Sequence, residues 1–147
     1  MRVVRLAKRP YTDLSGQGAA NTGGRWNSKG KPVAYSASCS ALAVVEYLAH
    51  LGSLPLGLMM MLIEVPDTLP IERVAFVPAD PAAFIRIGDD WLDSNSTAVL
   101  EVPSVLVPRQ TNYLINPHHP LFGAIKVVET SPFAFDRRLL SAFASTP

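Results

Sequence analysis

Hydrophobic residues occur along the chain in short runs separated by prolines and small polar residues. Thirteen prolines interrupt the 147 residues, and a proline inside a helix removes a hydrogen bond and clashes with the preceding turn. The pattern therefore favours strands and short helices over a helical bundle. The runs that predict strands are 2–6, 33–37, 58–65, 71–76, 98–102, 105–107 and 123–129. The predicted fold class is α+β, a single domain over residues 1–147 with a strand-rich core and one principal helix.

The principal helix is predicted from Ser40 to Leu51. Ser38 or Ser40 can cap its first turn, and Gly52 is expected to end it. Residues 80–94 predict a short helix or two mixed with turns.

Two segments predict loops. Residues 11–30 are rich in Gly, Ser, Asn and Thr, and a loop of that length is unusual in a compact domain unless it is functional. Within it, Gly16-Gln17-Gly18 lacks a third glycine and is not expected to open a helix, so it is no dinucleotide fingerprint. Residues 112–120 predict a second loop, because Asn before Pro favours a turn.

Composition narrows the class of protein. Apolar residues make up 48% of the chain, which is too many for a disordered protein. The net charge of +1 gives no strong attraction to nucleic acid or acidic lipid. Cys39 is the single cysteine, so neither an internal disulfide nor a cysteine-based zinc site is expected. The longest apolar run spans about ten residues, half of a membrane helix, and a cytoplasmic protein is expected.

Candidate chemistry begins in the glycine-rich segment, at Gly23-Gly24-Arg25-Trp26-Asn27. Two glycines allow a tight turn or a close approach to a ligand, and the arginine fork suits phosphate. A surface turn with a solvated arginine fits the same residues. Tyr35 lies on a predicted strand, where its ring either packs at the core or forms a platform for an aromatic ligand.

Glu46 and Ser104 each allow a purely structural and a functional interpretation. Glu46 lies at the border of the apolar arc of the principal helix, where a carboxylate is unfavourable unless it has partners. It is either a residue at the rim, solvated or in a salt bridge, or a carboxylate that faces a cleft. Ser104 interrupts an apolar run and either satisfies the end of a strand or takes part in the site.

Taken in order, these segments resemble the RES domain, a family of toxins from bacterial toxin–antitoxin pairs that is named for an Arg, a Glu and a Ser. The resemblance covers most of the chain. It rests on LSGQGA at 14–19, GGRWN at 23–27, Tyr35, Glu46, Val102-Pro103-Ser104, and NYLINP at 112–117.

The resemblance implies a fold akin to the ADP-ribosyltransferases and an enzyme that consumes NAD⁺ as its substrate. No metal is expected, because the adjacent His118 and His119 cannot easily share one ion and no third His or Cys lies nearby. The family's Arg, Tyr and Glu correspond to Arg25, Tyr35 and Glu46. Arg25 is expected to bind phosphate or ribose oxygens and Tyr35 to stack on nicotinamide. Glu46 is expected to accept from ribose hydroxyls and to face the positive charge that develops on the ribose.

Three more residues are expected around that centre. The namesake serine corresponds to Ser104, which would support Arg25 or Glu46. Asn27 and Asn112 are candidates for lining the cleft.

The resemblance also implies a partner, a small Xre-like helix-turn-helix antitoxin that covers the cleft between Arg25 and Glu46 in a hetero-oligomer. No direct contact with nucleic acid and none with a membrane is expected. Three functions stay open: an NAD⁺ glycohydrolase or phosphorylase, a mono-ADP-ribosyltransferase, and a non-enzymatic binding module. The apolar residues before Glu46 lack the acidic or glutamine residue that transferases often place there, which favours water or phosphate as acceptor.

Overall fold

The computed structural model describes residues 1–51 and 55–144, which form a seven-stranded sheet and four α-helices. The sheet order is β4-β5-β6-β2-β1-β3-β7. Its strands are β1 (Arg2–Lys8), β2 (Ala34–Ala37), β3 (Leu58–Glu64), β4 (Ile71–Arg73), β5 (Val99–Pro103), β6 (Thr111–Ile115) and β7 (Lys126–Phe133). The helices are α1 (Gln17–Thr22), α2 (Ser40–Leu48), α3 (Pro81–Ser94) and α4 (Arg137–Ala144), and a short 3₁₀ turn spans Phe122–Ala124.

The sheet is antiparallel except at one edge, where β4 runs parallel to β5. Successive side chains of a strand point to opposite faces. In β1, Val3 accordingly packs in one buried cluster, whereas Val4 and Leu6 pack in another. Leu42 and Ala43 of α2 belong to the second cluster, so α2 lies on that face of the sheet. The α+β fold class is confirmed.

Two predicted loops contain regular structure. Gly16-Gln17-Gly18 does open a helix, α1, which Gly16 precedes in the left-handed conformation with φ 70°. A side chain at Gly16 would lie 2.3 Å from the backbone nitrogen of Val33, so this glycine is required by packing. The prediction of a loop over 112–120 is wrong in its first part, because buried Leu114 and Ile115 draw that segment into the sheet as β6.

The reverse error occurs at 105–107, which is a turn and not a strand. The Ser104 hydroxyl accepts hydrogen bonds from the backbone N–H groups of Leu106 (3.2 Å) and Val107 (3.1 Å). The chain is thereby folded back on itself instead of continuing β5. A hydroxyl that captures nearby backbone N–H groups competes with strand pairing in this way.

The helices also differ in detail from prediction. Helix α2 begins after Cys39, which caps it without a side-chain hydrogen bond, so neither Ser38 nor Ser40 is the cap. It ends at Leu48, and the predicted stop at Gly52 lies outside the described residues. Helix α3 is one continuous helix of 14 residues that Asp80 caps by accepting from the N–H of Ala82. Within residues 1–51 and 55–144, no helix has the length and apolarity needed to cross a membrane.

Candidate active site

A cavity of about 580 Å³ opens between α2, strands β1 and β2, and the glycine-rich segment. Its volume is in the range of small-molecule sites. Four of the six residues singled out in the sequence line it, namely Arg25, Tyr35, Glu46 and Asn112. One loop, one helix and two strands therefore bring their candidate side chains to one place.

Glu46 faces this cavity and is held there by two donors. Its Oε1 accepts a hydrogen bond from the Ser104 hydroxyl at 2.6 Å and another from the Asn112 amide at 2.8 Å. Among the described residues, none donates to Oε2. The interpretation of Glu46 as a solvated rim residue or a salt bridge is thus replaced by that of an oriented carboxylate with one oxygen left for a ligand.

Ser104 does not line the cavity but stands behind Glu46. It is 4% exposed. Because its hydroxyl donates to Glu46 and accepts from the turn at 105–107, this one group ties the carboxylate to the backbone that follows β5. Ser104 was expected to support either Arg25 or Glu46. Its hydroxyl donates to Glu46.

Tyr35 lines the cavity, and its hydroxyl is hydrogen-bonded within the protein. The hydroxyl donates to Asn27 Oδ1 at 2.6 Å and accepts from the Trp26 N–H at 3.0 Å. Burial raises the pKa of Tyr35, so the phenol stays neutral. Because both hydrogen bonds go to the GGRWN segment, Tyr35 anchors that loop in addition to forming part of the cavity wall.

Asn27 lies away from the cavity, and its expected place in the cleft lining is not observed. It is 1% exposed, and its amide donates to the backbone oxygens of Ala19, Ser28 and Lys31. Its side-chain carbonyl accepts from Tyr35. Asn27 therefore has its hydrogen-bonding capacity used inside the protein, where it fixes the shape of the loop.

Gly24 is required at its position by the same arrangement. A Cβ there would lie 2.7 Å from the Tyr35 hydroxyl and 2.8 Å from Asn27 Oδ1. Real Cβ atoms essentially never approach other heavy atoms so closely. The first half of the GG pair, Gly23, has φ 71°, a conformation that favours glycine.

Arg25 is exposed at the edge of the cavity. Its guanidinium carbon lies 5.2 Å from the centroid of the Phe84 ring, on α3. The loop that carries it is bound to the same helix through Asp89, which accepts from the Ser28 N–H at 2.9 Å and from the Ser28 hydroxyl.

Sequence reasoning missed a second guanidinium in the cavity, that of Arg5. Its Nη1 donates to the Tyr35 carbonyl oxygen at 2.9 Å, whereas its buried Nε has no hydrogen-bond partner among the residues that the structure describes. Burial lowers the pKa of Arg5, an effect partly offset by Asp13. The signal was present in the sequence, because a charged residue stands between Val4 and Leu6 in an otherwise apolar strand core.

The described residues contain no group of three or more His, Cys, Asp or Glu side chains arranged to hold a metal ion. The polar residues that line the cavity include two arginines, Arg5 and Arg25, one carboxylate, Glu46, and one amide, Asn112. Guanidiniums are suited to bind an anionic ligand, and a carboxylate is suited to accept from hydroxyl groups and to stabilise a nearby positive charge.

Comparison with known proteins is consistent with this chemistry. The family model for the RES domain matches residues 2–136. The chain is 43% identical over 140 residues to the Prs ADP-ribosylating toxin of Sphingobium sp. strain YBL2, covering 87% of each protein. It is 37% identical over 137 residues to Toxin Res of Pseudomonas putida, covering 88% of this chain and 94% of that toxin.

The fold is similar to that in a solved structure of the M. tuberculosis MbcT–MbcA toxin–antitoxin complex. The TM-score is 0.73, and the match covers 98% of this chain and 89% of the other at 16% sequence identity. At that identity the likeness concerns the fold.

Proposed function

Because the chain belongs to the RES domain family, we propose that it is the toxin of a toxin–antitoxin pair and that Arg25, Tyr35 and Glu46 cleave NAD⁺ between nicotinamide and ribose. The products are nicotinamide and ADP-ribose, or ADP-ribose phosphate when inorganic phosphate is the acceptor. Residues 1–147 act as one RES domain. The observation that carries the proposal is the single cavity in which these three side chains meet and Glu46 keeps one oxygen free.

The carboxylate supplies the electrostatic part of the reaction. Loss of nicotinamide leaves positive charge on the ribose, as in glycoside hydrolysis. Glu46 Oε2 faces this charge and accepts from ribose hydroxyls. Because Ser104 and Asn112 hold Oε1 before the substrate arrives, little reorientation is needed during the reaction, which is the condition under which such stabilisation is largest.

The two arginines supply the binding part. The pyrophosphate of NAD⁺ is anionic, and a guanidinium offers it paired donors in one plane. Arg25 stands at the edge of the cavity, and Arg5 lies inside with an Nε that lacks a partner. A phosphate oxygen near Arg5 would compensate a buried charge that is only weakly balanced in the free protein.

Tyr35 acts through its ring. Its hydroxyl is already bound to Asn27 and Trp26, and the raised pKa keeps it protonated. Nicotinamide leaves as a neutral molecule and needs no strong general acid, so a flat surface that holds the ring is sufficient. Stacking of aromatic rings stabilises such an arrangement by about 0.5–1.5 kcal/mol.

Regulation is proposed to come from a cognate antitoxin of the Xre-like helix-turn-helix class that covers the cleft between Arg25 and Glu46. The similar fold in the MbcT–MbcA complex, in which a toxin is bound to its antitoxin, supports a hetero-oligomer. The proposed place of action is the cytoplasm, where the NAD⁺ pool lies.

A second function has specific support. One relative at 43% identity is an ADP-ribosylating toxin, so a mono-ADP-ribosyltransferase with a protein acceptor uses the same cleft and the same first bond cleavage. The two functions differ only in the nucleophile that reaches the ribose carbon after nicotinamide has left.

One experiment tests both. Protein freed of antitoxin is incubated with adenine-labelled NAD⁺, with and without phosphate and cell extract, and nicotinamide release is measured. Free labelled ADP-ribose or its phosphorylated form supports degradation, and label on a discrete protein band supports transfer. Glu46→Gln should lower nicotinamide release about 100- to 1,000-fold, the loss typical of one preorganised electrostatic group. Absence of release by the unaltered protein would refute both functions and favour a binding module.

A further inference from the structure

The Arg25 guanidinium lies over the aromatic ring of Phe84. Among the described residues its guanidinium has neither a hydrogen bond nor an ion pair, and its Cζ lies 5.2 Å from the centroid of the Phe84 ring. A guanidinium within about 6 Å of a ring centroid is attracted by the negative face of the ring. Arg25 is exposed, so without this attraction its long side chain would populate many rotamers.

Phe84 is itself held firmly. It is 5% exposed on α3, and its ring packs edge-on against Trp26, with 4.9 Å between centroids and 74° between planes. One turn later, Gly88 approaches so closely that a Cβ would lie 1.7 Å from the Trp26 carbonyl oxygen. The ring beneath Arg25 therefore belongs to a packed core that joins α3 to the GGRWN loop.

Phe84 is not among the described residues that line the cavity, whereas Arg25 is. We propose that Phe84 is a positioning residue that holds the Arg25 guanidinium ready for the phosphate or ribose oxygens of NAD⁺. What Arg25 binds rests on the proposed function, but the Arg25–Phe84 contact does not. A side chain that is ordered beforehand loses less conformational freedom on binding, and the affinity rises accordingly.

The competing explanation is that Phe84 contributes to the core alone. Both roles predict that Phe84→Leu lowers stability, because a buried ring is replaced by a smaller side chain. A change at the Arg25 guanidinium follows only from the positioning role. The matched control is Trp91→Phe, which alters a buried aromatic residue in the same cluster and the same helix, two turns away.

The first measurement is the NMR resonance of the Arg25 Nε–Hε group, which the ring current of Phe84 shifts. In the unaltered protein it should be displaced from that of Arg86, which is solvent-exposed and paired with Asp80. Phe84→Leu should abolish the displacement, and Trp91→Phe should preserve it. Since the comparison with Arg86 uses the unaltered protein, it remains decisive if Phe84→Leu does not fold. An undisplaced Arg25 resonance overturns the proposal.

The second measurement is kinetic. Phe84→Leu should raise the KM for NAD⁺ about three- to tenfold, the range expected from a lost cation–π contact and a disordered side chain. It should leave kcat within about twofold, and Phe84→Tyr should restore the KM. In an Arg25→Ala background, Phe84→Leu should add no further change. An equal rise in KM in the Arg25→Ala background overturns the proposal. Absence of nicotinamide release by the unaltered protein refutes the proposed function instead, and the NMR result then decides whether Phe84 positions Arg25.

Discussion

The Ser104 hydroxyl donates to Glu46 Oε1 over 2.6 Å, across 58 positions of the chain. The bond joins the segment after β5 to the C-terminal half of α2 and holds one oxygen of the carboxylate in place. An oriented carboxylate is more effective against a developing cation than one that must first be ordered.

Ser104→Ala is therefore expected to lower kcat for nicotinamide release about tenfold, with KM changed less than about twofold. The expectation follows from the usual 1.5–3 kcal/mol of a hydrogen bond to a charged group, of which Asn112 retains a part. The control is Ser94→Ala, since Ser94 donates to the Trp91 carbonyl far from Glu46. A Ser104→Ala protein with unaltered kcat would show that Asn112 alone orients Glu46.

Arg25→Lys should weaken NAD⁺ binding about tenfold although the charge is kept. A lysine presents one compact ammonium instead of the planar fork. Binding of ADP-ribose, measured by calorimetry, isolates this effect from chemistry. Arg86→Lys serves as the control, because Arg86 is exposed and bonded to Asp80. Equal affinity in the two variants would remove Arg25 from the binding site.

Gly24→Ala is expected to lower the free energy of unfolding by about 1–3 kcal/mol, the range seen when an atom is forced into a packed region. The new methyl group would press on Tyr35 and Asn27. Gly123→Ala is the matched control, because a Cβ at Gly123 meets nothing within 4 Å. Urea denaturation measures both, and a Gly24→Ala protein as stable as the control would contradict the packing described around Tyr35.

Stability should fall at alkaline pH through Tyr35. The folded-state pKa of this phenol is raised by burial, so the folded protein retains a proton that the unfolded chain loses above its own pKa of about 10. The free energy of unfolding is then undiminished below that pH and decreases above it. Burial also raises the pKa values of Tyr47 and Tyr113. The test therefore compares how steeply the free energy of unfolding falls with pH in two proteins. Tyr35→Phe should show a shallower loss than the unaltered protein, and equal slopes would contradict a buried, neutral Tyr35.

Arg25, Tyr35 and Glu46 could be picked out from the sequence, because their residue types and their order along the chain resemble those of a known family. The structure places all three around one cavity. The roles of the residues around these three were harder to predict from the sequence. Asn27 was expected to line the cleft. Its donors are instead used by backbone oxygens of Ala19 and Lys31, contacts that depend on how the whole loop folds.

Local patterns failed where a tertiary or side-chain contact outweighed them. Residues 105–107 have strand-forming side chains, yet the Ser104 hydroxyl accepts from the N–H groups of Leu106 and Val107 and the chain bends there. Asn112 looked like part of a loop, whereas its amide reaches Glu46 from a strand. Phe84 gave no signal at all, since a phenylalanine in an amphipathic helix is ordinarily read as core.

Gly88 and the Trp26 carbonyl leave no gap for even one methyl group between helix α3 and the loop of Arg25. Any side chain larger than a hydrogen atom at position 88 would therefore have to push helix α3 away from the loop that carries Arg25, and would displace this arginine from the edge of the cavity.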